Sequence, residues 1–543
     1  MATLISALAW VKRGASAENP KHYEIDEQEL ARVSELAREE IADAKLDLEE
    51  VGELMDEMGV GADEEDHEED WEDEKSDEDA NSDQMEVDEK LVQKKDNEDL
   101  SEYKLDDYDK ESTKKAGIFS NIKGLTYYKD NEDDPYITLK DEDEAEKDEL
   151  KVYNTDNLIV SAKTEDEISQ LEIYVYDESS DSLYVHHDLM LPSLPLCLEW
   201  LDFPPSSSVE QPSQPGNFVA VGTFEPEIEI WSLDTVEGLF PDALLGRPDK
   251  TKAHVPTPLG TGKKKKKKTK AREVNAEYHV DAVLSLSWNR THRNLLASAS
   301  ADKTVKLWDL SREPTSGAIR SFDVHKDKVQ AVQWNPVEST VMVTGSYDRT
   351  VRTFDTRAPD ASVGAILGAD VEAVRWDPWE PQCFYVALEN GVVLNFDART
   401  LPSNLNSPSP SRFTLSAHDG AVSALDVNPH IKGCLVTGGT DKLVKVWNVT
   451  ENGGKREISM VTSRDLGVGK VFSASWSPDD VLTLAAAGSK GKLQIWDVAT
   501  NAGARRTLTG KVKEAGRALR EKSGDGVVGV VSDDEDDESD EEE

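Results

Sequence analysis

Short runs that alternate apolar and polar residues, bounded by Gly, Asp, Asn and Ser, fill the second half of this chain. They read as strands joined by tight turns. One stretch returns in varied form: Ala297–Asp309 (ASASADKTVKLWD), Thr344–Asp355 (TGSYDRTVRTFD), Thr437–Trp447 (TGGTDKLVKVW) and Gly488–Asp497 (GSKGKLQIWD). In the first three an Asp-Lys or Asp-Arg turn precedes a β-branched run that closes on an aromatic residue. Nearer the start the period becomes helical. Asp26 reads as an N-cap with Glu29 three residues on, and Leu30, Val33, Leu36, Ala37, Ile41, Ala44, Leu48, Val51, Leu54, Met55 and Met58 recur on one face. This predicts an amphipathic helix that ends near Gly59–Gly61 and needs a cover for its stripe. An acidic run separates it from the repeats, which favours a partner protein as that cover over the repeats themselves or a second copy.

The aromatic residue closing each third strand counts seven repeats: Tyr176, Trp231, Trp308, Phe354, Phe396, Trp447 and Trp496. A second aromatic stands twenty residues upstream at Trp288, Trp334, Trp376 and Trp476, and Val427 takes that place before Trp447. Trp200 lies farther from Trp231 because Pro- and Ser-rich residues are inserted between strands. Self-similarity at roughly 40 to 50 residues, with aromatics placed to fill the space between small antiparallel sheets, marks the blades of a propeller. The predicted fold is all-β, a seven-bladed β-propeller over residues 118–510. It carries an N-terminal helical and acidic extension and a basic-then-acidic C-terminal tail. Asp134–Leu139 is the expected first strand of blade one. Three segments compete to close the ring: Arg505–Thr509 as an outer strand of blade seven, an N-terminal strand around Ile5–Val11, or Gly124–Tyr128.

Charge refines the boundaries. The formal net charge is −49 over 543 residues, concentrated in the run Ala62–Asp99 and the tail Ser532–Glu543. Such segments cannot bury enough apolar surface to offset ordering entropy and read as disordered. Ser76, Ser532 and Ser539 within them suit an acidophilic kinase. The chain divides into a docking peptide and helix (1–61), an acidic linker with short motifs (62–117), the propeller (118–510) and a basic-then-acidic tail (511–543). Residues 1–25 are too apolar for a free tail and dock either on the propeller or on a partner. Because Lys12 and Arg13 follow the apolar part, the start reads as a strand or docking peptide and not as a signal peptide. Basic residues collect in the loop 237–276, at Lys263, Lys264, Lys265, Lys266, Lys267 and Lys268, and after the last repeat, at Arg505, Arg506, Lys511, Lys513, Arg517 and Arg520. A lysine run is by default a solvated loop; here nuclear import and RNA phosphate contact are the functional expectations. Lys511–Lys522 reads as a short basic helix. The three cysteines, Cys197, Cys383 and Cys434, are far apart and form no CxxC pair, which argues against disulfides and zinc. No apolar run approaches the ~18 residues that span a membrane.

His279 and Asp302, His325 and Asp348, and His418 and Asp441 are each 23 residues apart, with Ser298, Thr344 and Thr437 four before the Asp. Taken singly, Ser, His and Asp suggest a hydrolase. Repetition points elsewhere, because an enzyme needs one such set. A structural relay accounts for all three: Asp to His, His to hydroxyl, hydroxyl to the indole N–H of Trp308 or Trp447. That pairs polar groups a blade would otherwise bury alone. Phe354 truncates the relay, and Lys490 replaces the Asp in the last repeat. No phosphate-binding Gly loop, metal cluster or carboxylate pair is found in the repeats, so neither an enzyme, a cofactor nor a small-molecule substrate is expected.

The repeats resemble those of the WD-repeat superfamily. Ala9–Gly14 (AWVKRG), Tyr103–Asp109 (YKLDDYD), Asn121–Leu125 (NIKGL) and Asn131–Ile137 (NEDDPYI), which lie outside the repeats, resemble the periodic tryptophan protein family. That resemblance implies a nucleolar scaffold in assembly of the large ribosomal subunit, acting in precursor RNA processing and bound to precursor particles, ribosomal RNA and other assembly proteins. A chromatin- or histone-binding propeller is the alternative, since acidic runs attract basic tails. A ubiquitin-ligase substrate receptor finds no supporting motif.

Overall fold

The computed structural model describes residues 3–23, 150–166, 168–205, 215–246, 274–313, 316–452, 455–517 and 526–530. The β-branched runs pair as antiparallel neighbours and build seven four-stranded sheets. Blade two is Pro195–Leu201, Phe218–Thr223, Ile228–Ser232 and Ala243–Leu245; blade three is Val283–Trp288, Leu295–Ser300, Val305–Asp309 and Arg320–Phe322. Blades four and five are Val329–Trp334, Val341–Ser346, Thr350–Asp355, Val363–Ile366 and Val371–Trp376, Cys383–Leu388, Val392–Asp397, Phe413–Ser416. Blade six is Val422–Val427, Cys434–Gly439, Leu443–Asn452 and Lys455–Asp465, and blade seven is Val471–Trp476, Thr483–Gly488, Leu493–Asp497 and Val527–Gly529. The first strands neighbour one another in a closed circle, which makes them the inner wall of the ring. Each aromatic used to count the repeats lies in a third strand.

Two local devices recur. At the tips of blades three, four and six, Lys303, Arg349 and Lys442 take positive φ (74°, 62° and 71°). The preceding aspartates hold this conformation by accepting the N–H of Thr304, Thr350 and Leu443. After the first strands, Asn289, Asn335 and Asn428 accept two loop N–H groups each through Oδ1. Their Nδ2 groups donate to Ser339, Pro381 and Val481 carbonyls in the following blade. One side chain thus shapes its own loop and ties two blades together.

Blade one departs from expectation. Its innermost strand is Thr3–Val11, paired antiparallel with Asn157–Glu165; Ile168–Asp177 and Ser182–Leu191 follow outward. The apolar start of the chain therefore docks on its own propeller. Trp10 holds the place that Trp334 and Trp376 hold in their blades. Those indoles donate to the carbonyls of Ser287 and Gln333 at 3.1 and 3.2 Å, each just before the preceding blade's tryptophan. Trp10 donates to Ser475, just before Trp476, at 3.3 Å. The same bond that links neighbouring blades thus joins blade one to blade seven. Ile5, Leu8 and Trp10 complete the closure by packing with Tyr174, Tyr176, Ala485, Ala487 and Ile495. Lys21–His22 then pairs in parallel with Thr235–Val236 beside blade two.

Among the three candidates for closure it is therefore the N-terminal strand that joins the ring, and the propeller reaches beyond residues 118–510 at both ends. Arg505–Thr509 is not a strand. It belongs to the helix Ala502–Glu514, capped by Asn501 through the N–H groups of Gly503 and Ala504. Ala504, Leu508 and Val512, one turn apart, are its buried residues and pack into the blade six–seven core. Lys511 and Lys513 end this helix instead of beginning another. The expected helix at 26–58, the linker 62–117, Asp134–Leu139, Gly124–Tyr128 and the acidic tail lie outside the described residues.

Candidate functional site

The repeated His, Ser/Thr and Asp residues meet because the loop before each first strand lies over the turn between the second and third strands. In blade three His279 Nδ1 is 2.9 Å from Asp302 Oδ2, and its Nε2 is 2.7 Å from Ser298 Oγ. Trp308 Nε1 donates to the same Oγ at 2.8 Å. Blade six repeats this: His418 Nδ1 is 2.9 Å from Asp441, His418 Nε2 is 2.8 Å from Thr437, and Trp447 donates to Thr437 at 2.8 Å. In blade four His325 lies 3.1 Å from Asp348 and 2.8 Å from Thr344, and Phe354 has nothing to donate.

The donors run one way. Burial outweighs the pull of Asp302 and lowers the His279 pKa, so the ring is neutral. Burial alone would raise Asp302, but hydrogen bonds from His279 and Thr304 outweigh it and hold the carboxyl at about 2. A neutral imidazole between an ionised carboxylate and a hydroxyl donates through Nδ1 and accepts through Nε2. The indole then donates to the hydroxyl, the hydroxyl to the imidazole, and the imidazole to the carboxylate. Every atom is used inside the blade. His279 is 0% exposed and no face of it is open to a substrate. The arrangement locks strands in place.

The other sequence candidates are dispersed. Arg505 donates to the Thr500 carbonyl, and Lys511 donates to Lys432 O, Asn448 Oδ1 and Val449 O. Arg517 reaches the Asp479 carbonyl. Arg506, Lys513 and Arg517 are exposed on the outer side of the C-terminal segment. Lys263–Lys268, Arg520, Ser76, Ser532 and Ser539 lie outside the described residues.

Two charged groupings went unread in the sequence. At the channel wall Arg375 pairs with Asp426 at 3.5 Å. Burial raises the carboxyl pKa of Glu199 and of Asp426, opposed in both by Arg290 and Arg375. At the seam of blades five and six, Glu380 accepts Arg456 at 2.7 Å, Arg412 at 2.8 Å and Lys432 at 3.2 Å. Burial would raise its pKa, but the two arginines and Lys432 outweigh it and bring it to about 2. Glu380, Arg456 and Lys432 border a cavity of about 520 Å3 that Trp379 and Lys511 also line. The one sequence signal was a second tryptophan, Trp379, so soon after Trp376. Among the described residues no group of three or more His, Cys, Asp or Glu could hold a metal ion, and no helix is long and apolar enough to cross a membrane.

Comparison with known proteins agrees with this geometry. The family described as "WD domain, G-beta repeat" matches residues 274–309, 317–355 and 409–448, which are the repeats that carry the His-Ser/Thr-Asp sets. A WD repeat-containing protein of Schizosaccharomyces pombe, described as uncharacterized, is 42% identical over 94% of this chain and 92% of its own. Periodic tryptophan protein 1 of Saccharomyces cerevisiae is 34% identical over 96% of this chain and 92% of its own. The Drosophila melanogaster homolog of periodic tryptophan protein 1 is 28% identical over 93% and 96%. A likeness that runs through the N-terminal strand and the inserted segments as well as the blades is more than shared repeats, and this chain belongs to the periodic tryptophan protein 1 family of WD-repeat propellers.

Proposed function

We propose that this chain is a non-enzymatic scaffold in assembly of the large ribosomal subunit. It binds ribosomal RNA and other assembly proteins on precursor particles, supports precursor RNA processing, and works in the nucleolus within the nucleus. The observation that carries this reading is the likeness to a named family across 96% of the chain, beyond what repeats alone explain. The chemistry is consistent with it. Among the described residues the repeated Ser/Thr, His and Asp sets are internally satisfied and their imidazoles and hydroxyls are buried, as a rigid platform requires. Basic side chains are set apart on the C-terminal helix and in the lysine run, where phosphates can be met, while acidic runs discourage indiscriminate contact with nucleic acid.

Gradient sedimentation of a nuclear extract, followed by RNA crosslinking, tests it. The chain is expected in fractions holding large-subunit precursors, with ribosomal RNA crosslinked to it. Sedimentation only as free protein overturns the proposal. The acidic run Asp63–Asp79 is the specific observation in favour of a histone-binding role. Its deletion abolishes histone capture if that reading is right, and leaves particle binding intact if the first is.

A further inference from the structure

We propose that the cavity at the seam of blades five and six holds one unstacked nucleotide of a single-stranded RNA, its base against Trp379 and its phosphate on Lys432 and Arg456. The inference rests on the RNA-binding reading above and gives it an address. The cavity, at about 520 Å3, falls in the range of pockets that enclose a small ligand. Its charge is organised. Lys432 and Arg456 on the lining, with Arg412 behind them, converge on the single carboxylate of Glu380, so positive charge is in excess at that cluster, while Asp377, Glu451 and Glu514 line the rest of the cavity beside Lys511. Arg456 is 11% exposed, so its guanidinium is already fixed, whereas Lys432, paired with Glu380 at 3.2 Å, is 61% exposed and its ammonium is open to an anion from the solvent side.

The aromatic surface beside these cations is also fixed. Trp379 is 41% exposed. Its backbone N–H is held by Asp377 Oδ1, and its indole N–H by the Asn428 carbonyl at 3.1 Å. With the indole N–H engaged, a ring face is what remains on offer. A rigid exposed ring next to organised cations is what a base and its phosphate together require. An acidic peptide would use the cations and leave the ring idle. Arg506, Lys513 and Arg517, exposed along the neighbouring helix and its end, continue a basic path for flanking phosphates. Paired bases cannot present a free face, so a duplex is excluded.

The test uses the full chain and a fluorescent mixed-sequence 12-nucleotide RNA, single-stranded or annealed to its complement. Single strands are expected to bind better than duplex. Trp379→Ala weakens single-strand binding about ten-fold and Trp379→Phe restores most of it. Lys432→Ala reduces the slope of log K against log salt by roughly 0.7, one phosphate's share. Thermal midpoints of the variants serve as the folding control. Independently of any variant, 4-thiouridine in the same RNA should crosslink the wild-type chain at peptides containing Trp379 or Lys432. Crosslinks confined elsewhere, or wild-type affinity in both alanine variants, overturn the inference. So does Trp379-dependent capture of a phosphorylated acidic peptide in place of RNA. If crosslinks fall elsewhere while the chain still enters large-subunit precursors, this inference fails alone; absence from the particles sinks the reading beneath it as well.

Discussion

The relay makes the residue scale testable because its copies differ by single atoms. Ser298→Ala removes the acceptor for Trp308 and the donor for His279, both buried, at a cost of about 1–3 kcal/mol. Thr344→Ala in blade four strands no indole, because Phe354 has none, and should cost less. Denaturation midpoints of the two variants give the comparison. Blade seven supplies the converse. Trp496 Nε1 is buried without a partner among the described residues, and Ala486 stands where Ser298 and Thr437 stand in their blades. Ala486→Ser places a hydroxyl opposite the indole and should stabilise the chain by about 1 kcal/mol. Blade two pairs its tryptophan differently: Trp231 donates to Glu229 at 2.9 Å. Burial raises that carboxyl from 4.5 to about 7, against the pull of the indole bond. The folded state therefore holds a proton that the unfolded chain has lost. Its contribution is full below pH 4.5 and disappears as pH rises through 7, a change on the order of 3 kcal/mol. Glu229→Gln should flatten stability between those limits and leave the variant the more stable at pH 8. An unchanged pH profile would sink this account.

Among the elements, legibility followed how local each signal was. The aromatic that closes each third strand sits a fixed distance past its turn, so every repeat could be counted from neighbours in the sequence. The His, Ser/Thr and Asp sets were readable for the same reason, since a single hairpin and its preceding loop bring them together. Thr3–Val11 could be named only as one of three ways to close the ring, because its partner Asn157–Glu165 lies beyond a long insertion and Trp10 is followed by Val11, not by the Asn, Asp or Ser that follows Trp288, Trp334, Trp376 and Trp476. Arg505–Thr509, inside the helix Ala502–Glu514, reads as a candidate outer strand because Thr507 and Thr509 suggest one; the contrary signal is Asn501 as a cap and the four-residue spacing of Ala504, Leu508 and Val512. The Glu380 cluster was unreadable, its cations coming from separate loops and strands of two blades. The N-terminal strand is also the element whose loss should matter most. It carries Trp10 to Ser475, and Arg13 binds Asp480 at 2.9 Å and Glu178 at 3.2 Å. Burial raises the Asp480 carboxyl to about 6 even with Arg13 opposing it. A chain lacking residues 1–14 should bind a hydrophobic dye and melt earlier, and a synthetic peptide of those residues, added in trans, should reverse both. A truncated chain that melts as the full one does would show that the ring closes without its latch.

At the scale of the whole molecule, charge is sorted and not averaged. Ten of the last twelve residues are Asp or Glu, yet six consecutive lysines stand in the loop between blades two and three. A protein with net charge −49 meets RNA only where such local excess outweighs the general repulsion. Two deletions separate the contributions. Removing Lys263–Lys268 should weaken RNA binding at low salt and lower the slope of log K against log salt by at most about 4, the limit if every lysine meets a phosphate on a single strand. Removing Ser532–Glu543 should do the opposite: affinity for unrelated RNA rises while the slope stays close to its original value, since no phosphate contact is added. The difference matters because affinity alone confuses contact with repulsion, whereas the slope counts released ions. If the lysine deletion leaves the slope unchanged, the run is a solvated loop. The proposed RNA contact then rests on Arg506, Lys513 and Arg517 alone.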